Sequence, residues 1–481
     1  MVIKENKSLT VKKEEDFTEW FIQLVTKSEL VDYTDVSGAM AYRPGAYQLW
    51  EKIQQETDKE FKKIGMTNVY FPMFIPEKLL SKMGEHVEGF APEVAWVTHA
   101  GNKKLKEKLG IRPTSEAIIY PSLSKWIRSH NDLPKLFNQW CSVVRWEFNN
   151  PVLFFRTREF LWNECHNAFA SKKEAISHGE KTIKAYNKIT EDFMALPGIY
   201  GKKTESEKFA GAEFTKKVHT YLPNGKILEG TCFHYDGQKF AESYDIKFKD
   251  KDDKEKYVYQ NTHAISTRML GGMLAMHSDN NGLVIPPKMA ENKLVIIPLL
   301  FKGKEKKVLD VTNKLKKELK IFNPILDERS DISAGRKFAE YELKGIPLRI
   351  EIGPRDLEKN AAILKTRIGK EKIEIKLKNI KKEIPNLLKE MQETLYKNAE
   401  KLLKENKEKT EKKKELIKFI KDKKIVKVPI RNSKEIEDKL KTETIGAKVL
   451  FIDPENESIK NKKCIITDEP ADYWAYVGKT Y

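Results

Sequence analysis

The sequence predicts an α+β domain built on an antiparallel sheet, followed by an α/β domain and a small α+β C-terminal domain. Three observations carry this expectation: the length, the order of strand and helix signals, and a segment at residues 112–164 that mixes charges with aromatics. At 481 residues the chain is too long for one ordinary core, so two or three domains are expected. In the first half, strands are joined by hairpins or by irregular loops such as KKTESEKFAGAEF (202–214), which suits an antiparallel sheet with helices packed on it. Beyond VIPPKMAENK (284–293), where two prolines interrupt the pattern, strands alternate with helices.

The elements follow in order. Residues 1–15 are polar, lack an apolar signal core and are expected to be disordered. A first domain spans 16–290. It starts helically and includes an amphipathic helix over about Ala46–Ile64, with Leu49, Ile53, Phe61 and Ile64 among its apolar positions. That helix ends near Gly65, and NVYFPMFIP follows as a strand. A second domain spans 291–395. It reads as strand LVIIPLLF, a helix with Val308, Val311, Leu315 and Leu319, strand NPILDER, helix AGRKFAEYELKG and strand PLRIEIG. A Lys/Glu-rich helical stretch over about Ile380–Lys421 leads out of it, its charges read as a solvated face. Residues 396–481 form this helical linker and a last domain, with strands KIVKVPI, AKVLFID, KCIIT and DYWAYVGKTY around one helix.

Composition narrows the function classes. The formal net charge is +18, which suits a polyanionic partner but equally a general lysine bias. Four cysteines without CxxC spacing indicate neither a disulfide framework nor a zinc ribbon, and fit a reducing cytoplasm. An apolar run such as Leu294–Phe301 is far too short to span a membrane, so none is expected as a partner. There is no GxxxxGK[ST] loop and no GxGxxG opening a helix. Any ATP site here must therefore hold phosphates by arginines.

Arginines are available in the central segment, which reads RPTSEAIIY, VVRWE and RTREFLWNE. Residues two apart on a strand share a face, so Arg156, Phe160, Trp162, Glu164 and His166 line one side. Such a face could bind a small zwitterion and a phosphate together, or be laced by structural salt bridges.

These segments resemble the three motifs of a class II aminoacyl-tRNA synthetase. IGMTNVYFPMF, with Gly65 and Pro72, is similar to the first, which lies at a homodimer interface. Arg145, Glu147, Arg156, Phe160 and Glu164 match the second. HAISTRMLGGMLAMH, with Arg268, Gly271 and Gly272, matches the third. RPTSE, VVRWE, REFLW, KTESEKFAGA, YDIKFKD and the ending KTY further resemble prolyl-tRNA synthetase of the archaeal and eukaryotic type, over about Phe17–Tyr481. Only about a hundred residues separate Glu164 from Arg268, which leaves no room for the editing insertion of bacterial-type enzymes.

The resemblance implies a class II synthetase fold whose second domain binds the anticodon. It also implies ATP with Mg²⁺, L-proline and tRNA(Pro) as substrates and partners, and a roster of roles. Arg145 bridges the amino-acid carboxylate and the α-phosphate, and Arg156 and Arg268 hold the β- and γ-phosphates. Glu147 accepts from adenine, and Thr114 and Glu116 hold the secondary ammonium. Phe160, Trp162, His166 and His234, with Glu164, complete the proline pocket, while Thr157, Glu229, Cys232 and Ser266 complete the ATP site. Arginine suits such positions because its planar fork stays charged and binds phosphate bidentately. In the second domain, Arg336, Glu340, Lys344, Arg349 and Glu351 lie on segments matching the anticodon reader, since arginine and acids can pair with a guanine edge. Each also reads as a surface charge or a sheet-edge pair.

The departures are specific. Where the family often carries four zinc cysteines, only Cys464 remains, with VPIRNSKEIED in place of the first pair, so no structural zinc is expected. Cys165 stands at a usual glycine, Glu229, Cys232 and Phe233 at usual Gln, Thr and Ser, and His263 at a usual Trp. These changes leave open a related synthetase for another small amino acid. A catalytically idle RNA-binding paralogue is the other alternative. If Cys165, His166, Cys232, His234 and His263 converged, they could bind a metal that selects a coordinating substrate.

Overall fold

The computed structural model describes residues 8–86, 93–147, 150–369 and 371–481. Part of the expected disordered tail, residues 1–7, lies outside these. The rest of it, 8–15, is tied down, contrary to expectation. Lys13 donates from its backbone to Asn280 Oδ1 at 2.7 Å and from Nζ to the Ser278 carbonyl at 2.8 Å, and lies 4.7 Å over the Trp20 ring. The helix Phe17–Lys27 follows, capped by Asp16, with Trp20, Phe21, Leu24 and Val25 buried.

The amphipathic helix runs Pro44–Lys63, with proline in its first turn, and ends before Gly65 at φ +85°. The expected strand NVYFPMFIP is broken. Thr67–Asn68 pairs in parallel with Phe137–Asn138, whereas Phe74–Pro76 pairs antiparallel with Leu109–Ile111 in a separate three-stranded sheet. Pro72, which cannot donate to a ladder, sits in the break.

The main sheet has eleven strands. Five of them carry the site: β1 (Lys135–Val144), β2 (Glu159–Phe169), β3 (Phe214–Tyr221), β4 (Lys226–Gly237) and β5 (Tyr259–Ser266), in spatial order β3-β4-β5-β2-β1, all antiparallel. Helices pack on the sheet around a core that includes Phe155, Phe169, Phe233, Met269 and Leu274.

The second domain holds a five-stranded sheet in which Leu294–Pro298 pairs in parallel with Ile325–Leu326 and Leu348–Ile352, and two antiparallel strands follow. The expected boundary at 395/396 falls inside one continuous helix, Ile380–Glu405, whose buried stripe includes Ile384, Leu388, Met391 and Leu395. An apolar stripe at helical spacing gives no reason to stop there. The expected strand KCIIT is also absent: Cys464 sits in a turn, its N–H donating to the Glu469 carbonyl at 2.7 Å.

The C-terminal strands do not form a sheet of their own. Ile452 pairs with Lys202, and Tyr473–Thr480 adds to β4 in parallel through Lys226↔Lys479 and Ile227↔Thr480. Among the described residues, no helix is long and apolar enough to cross a membrane.

Candidate active site

One face of the five strands forms the floor of a cleft of about 1050 Å³. Cross-strand register sets its rows. Lys217, Cys232, Ala264, Glu164 and Gln139 form one row, and Thr215, His234, Thr262, His166 and Phe137 the next. Phe160 and Trp162 continue the β2 face, their rings 5.8 Å apart.

At one end, the helix α1 (Glu116–Trp126) begins beside β2. Glu164 is buried and saturated. It accepts from the Ser115 N–H at 3.0 Å, from Gln139 Nε2 at 3.0 Å and from the Ser115 hydroxyl, and it meets His166 Nε2 at 3.1 Å. Burial opposes its ionisation, but His166, Ser115 and Gln139 bring the carboxyl down to about 2. Burial likewise works against the His166 imidazolium, yet Glu164 and Glu116 hold it above its ordinary range. The Tyr120 hydroxyl meets His166 Nδ1 at 3.3 Å, and Thr114 donates to Glu116. Glu164, expected in the proline pocket, lines the cleft; with its oxygens held by protein donors it also fixes the entry to α1 and the ring of His166.

In the middle, the Arg145 guanidinium lies 5.3 Å over Trp162 and 5.6 Å over Phe160, steadied by Nε donating to the Pro113 carbonyl at 3.0 Å. At the other end, Ser266 caps the helix α2 (Thr267–His277), and Arg268 Nε donates to the Phe155 carbonyl at 3.1 Å. Glu147 and Thr157 are on the wall. Arg156 is not, although it stands close enough to Arg268 for mutual repulsion. His234 Nδ1 meets the Thr215 hydroxyl at 2.8 Å, and burial, with Lys217 and Arg145 nearby, lowers its pKa to about 3. The Cys232 thiol is pushed up to about 11 by burial.

The Cys/His set does not converge. Cys165 and His263 face away from the cleft, where Asn163 Nδ2 donates to Cys165 Sγ at 3.3 Å and His263 stacks on Phe233 at 5.0 Å. Alternation along β2 and β5 separates them from His166, Cys232 and His234. Among the described residues, the only group of three metal-capable side chains is Glu116, Glu164 and His166.

The resemblance also implies Mg²⁺ with ATP. At the Arg268 end, Glu229 Oε1 takes Lys203 Nζ and its Oε2 takes Lys217 Nζ, each at 2.8 Å. Although burial opposes it, these ammonium groups hold the Glu229 carboxyl well below its ordinary range. Magnesium bound by protein needs one or two available carboxylates. Glu147 is also on the wall at this end, but it stands alone and its charge acts on the Arg268 guanidinium, so the side chains here offer no carboxylate pair for the ion.

Sequence reasoning missed Ser115, Gln139, Phe155, Lys217 and the loop at 203–213. Lys217 was readable in principle, because it shares a face with Thr215 on an alternating strand. The loop owes its seat to the C-terminal domain. Glu437 takes hydrogen bonds from Ser206 and Thr204, Lys448 reaches Glu207 at 3.6 Å, and Lys434 lines the cleft. Tyr481 stacks on Phe155 at 4.2 Å.

The five second-domain residues lie in three places. Arg349 and Glu351 are buried together at 2.9 Å, with Lys372 on Glu351 at 2.7 Å. Glu340 pairs with Lys344 at 3.0 Å and Arg329 at 2.9 Å. Arg336 is exposed on the helix Ala334–Leu343.

Comparisons with known proteins find three family matches along the chain. Residues 96–277 match the tRNA synthetase class II core domain (G, H, P, S and T), 293–387 an anticodon binding domain, and 413–481 the prolyl-tRNA synthetase C-terminal domain. The chain is 43% identical to proline–tRNA ligase 2 of Bacillus cereus, covering 99% of this chain and 100% of that protein. It is 43% identical to proline–tRNA ligase of Ruminiclostridium cellulolyticum, covering 97% of each. The crystal structure of prolyl-tRNA synthetase from Cryptosporidium parvum, complexed with halofuginone and AMPPNP, superposes with a TM-score of 0.93 at 36% identity, covering 99% of this chain and 97% of that one.

Proposed function

The chain belongs to the prolyl-tRNA synthetases and is a proline–tRNA ligase, and we propose that the cleft described above carries both of its half-reactions. The single observation that supports this reading is the graded floor of the cleft. A carboxylate-and-hydroxyl end at Thr114 and Glu116 is joined through Arg145 to a cationic end at Arg268.

Thr114 and Glu116 hold the secondary ammonium of proline. Its ring lies among Phe160, Trp162, His166 and His234, with Glu164 fixing that wall from behind. The carboxylate then attacks the α-phosphate of ATP in line and pyrophosphate leaves. Two anions approach each other, so the step needs fixed positive charge more than a base. Arg145 supplies it between them, and Arg268 and Arg156 draw the β- and γ-phosphates away. Glu147 accepts from the adenine amino group; Thr157, Cys232, Glu229 and Ser266 border the nucleotide. Synthetases of this class generally use ATP and Mg²⁺. Transfer to the terminal adenosine of tRNA(Pro) completes the cycle.

The catalytic domain spans 16–290. The anticodon-binding domain starts near 291 and uses Arg336, Glu340, Lys344, Arg349 and Glu351, and the helix Ile380–Glu405 links it to the C-terminal domain. The subtype is archaeal and eukaryotic in type: the near end-to-end match to the Cryptosporidium chain supports this, as does the short span between β2 and α2. The enzyme is a cytoplasmic homodimer. Tyr70 and Phe74 within the first motif, and Trp96 and Trp126 outside it, are exposed aromatics suited to burial between two copies. The C-terminal domain folds without zinc. The test is ATP–pyrophosphate exchange against all twenty amino acids: proline should dominate, and preference for another amino acid would sink the assignment.

A further inference from the structure

The phosphate end of the cleft carries one more cation than its arginines. Lys217 stands at the end of a floor row, two strands from Ala264, with its side chain one quarter exposed to the cleft. Its ammonium is held by Glu229 Oε2 at 2.8 Å. The other Glu229 oxygen is taken by Lys203, which is fully enclosed and also reaches Glu207 at 3.7 Å. Lys203 thus neutralises the carboxylate from behind, and Lys217 remains on the cleft side. Burial lowers the proton affinity of an ammonium, but Glu229 more than offsets this and keeps Lys217 charged.

The other carboxylates on the wall do not supply a cation site here. Glu116 and Glu164 belong to the opposite end, and Glu205 is paired with Lys208 at 2.6 Å. Glu147 is a single carboxylate whose charge acts on the Arg268 guanidinium, and it belongs to no group of three metal-capable side chains among the described residues. A divalent cation entering with ATP would therefore find phosphates and water as its ligands, but no free carboxylate pair on the protein.

We propose that Lys217 supplies from the protein the positive charge that a side-chain-bound divalent cation would bring to the triphosphate, so that this site takes ATP without holding a metal. A lysine ammonium is a compact point charge with three donors. Lys217 can keep one bond to Glu229 while turning others to phosphate oxygens. Glu229 thereby becomes a positioning residue for Lys217 rather than a metal ligand.

This inference rests on the ATP site proposed above, and calorimetric titration of the full chain with ATP, without amino acid, separates the two. Titrations are run in excess EDTA and in Mg²⁺. The wild type should bind in EDTA within about threefold of its affinity in Mg²⁺. Lys217→Met should bind about tenfold to a hundredfold more weakly in EDTA, the cost of one lost charged hydrogen bond, with Mg²⁺ restoring part of the loss. Lys217→Arg should keep EDTA-resistant binding, and carries the test if the methionine variant melts early. Wild-type binding that vanishes in EDTA, or a Lys217→Met variant unchanged in both conditions, would overturn the inference. Failure to bind ATP in either condition would instead overturn the ATP reading itself.

Discussion

Cys165 and His263 are directly opposite each other on neighbouring strands, on the face of the sheet turned away from the cleft. Cys165 Sγ accepts from Asn163 Nδ2 there, and His263 stacks on Phe233. Cys232 and Glu229, two of the other departures, line the cleft. Effects on amino-acid choice should therefore separate by face. Cys232→Thr should change the ratio of proline to alanine exchange, whereas Cys165→Ala should leave that ratio intact and cost about 1–2 kcal/mol of stability. Exchange assays with both amino acids, alongside denaturant unfolding, check this; a specificity change in Cys165→Ala would contradict it.

Arg145→Ala should abolish most proline-dependent exchange. Loss of one transition-state donor costs about 3–4 kcal/mol, a few hundredfold in rate or more. Near-normal exchange in this variant would remove Arg145 from the mechanism.

Glu164 ties stability to pH. Its folded pKa is about 2, below its ordinary value of 4.5. Its contribution is thus fully present above pH 4.5 and is lost as pH falls toward about 2. His166 has the opposite sign: its folded pKa is raised above 6.5, so its contribution is full below pH 6.5 and fades as pH rises past its folded value. Glu164→Ala should destabilise by about 3–5 kcal/mol, the cost of stranding a buried partner. Glu164→Gln should flatten the acid limb of the stability curve. Chemical denaturation across pH measures both.

Arg367 bridges two domains. Its guanidinium donates to both Asp279 oxygens, at 2.6 and 2.9 Å, and to the Glu342 carbonyl at 3.0 Å. Arg367→Ala should leave amino-acid activation near normal while tRNA charging falls by about tenfold, because only the second process needs both domains in register. Equal losses in the two assays would assign Arg367 to general stability instead.

Light scattering at micromolar concentration should report a dimer, and Tyr70→Arg with Phe74→Arg should shift it toward monomer. Metal analysis should find no stoichiometric zinc, and chelation should leave the melting curve unchanged. An active monomer would remove the first expectation, and a zinc-dependent melt the second.

Much of this architecture was readable from local pattern. The helix ending before Gly65 follows from residue types in fixed offsets, whereas its start at Pro44, ahead of the expected Ala46, and the Ser266 cap of α2 went unread. What could not be read was decided by distant partners. NVYFPMFIP has strand composition throughout, but Pro72 and two different neighbours split it. The Cys/His set looked convergent because its segments do converge; the parity of each position on its strand then sends Cys165 and His263 to the other face. Lys217 and Lys203 looked like two more lysines in a basic chain until Glu229 came between them. The seat of the loop at 203–213 depends on Glu437, more than two hundred residues onward.

The strand Tyr473–Thr480 is inserted between Ile425–Ile430 and Lys448–Ile452 and also adds to β4. Pairing Lys226 with Lys479 closes a loop of about 250 residues, a late step for any chain made from its N-terminus. A growing polypeptide would leave one edge of β4 unpaired at Lys226 and Ile227 until that strand emerged. The catalytic sheet is therefore the first part to be synthesised and among the last to be completed. Chains stalled before residue 473 should be labile to proteases rather than prematurely active.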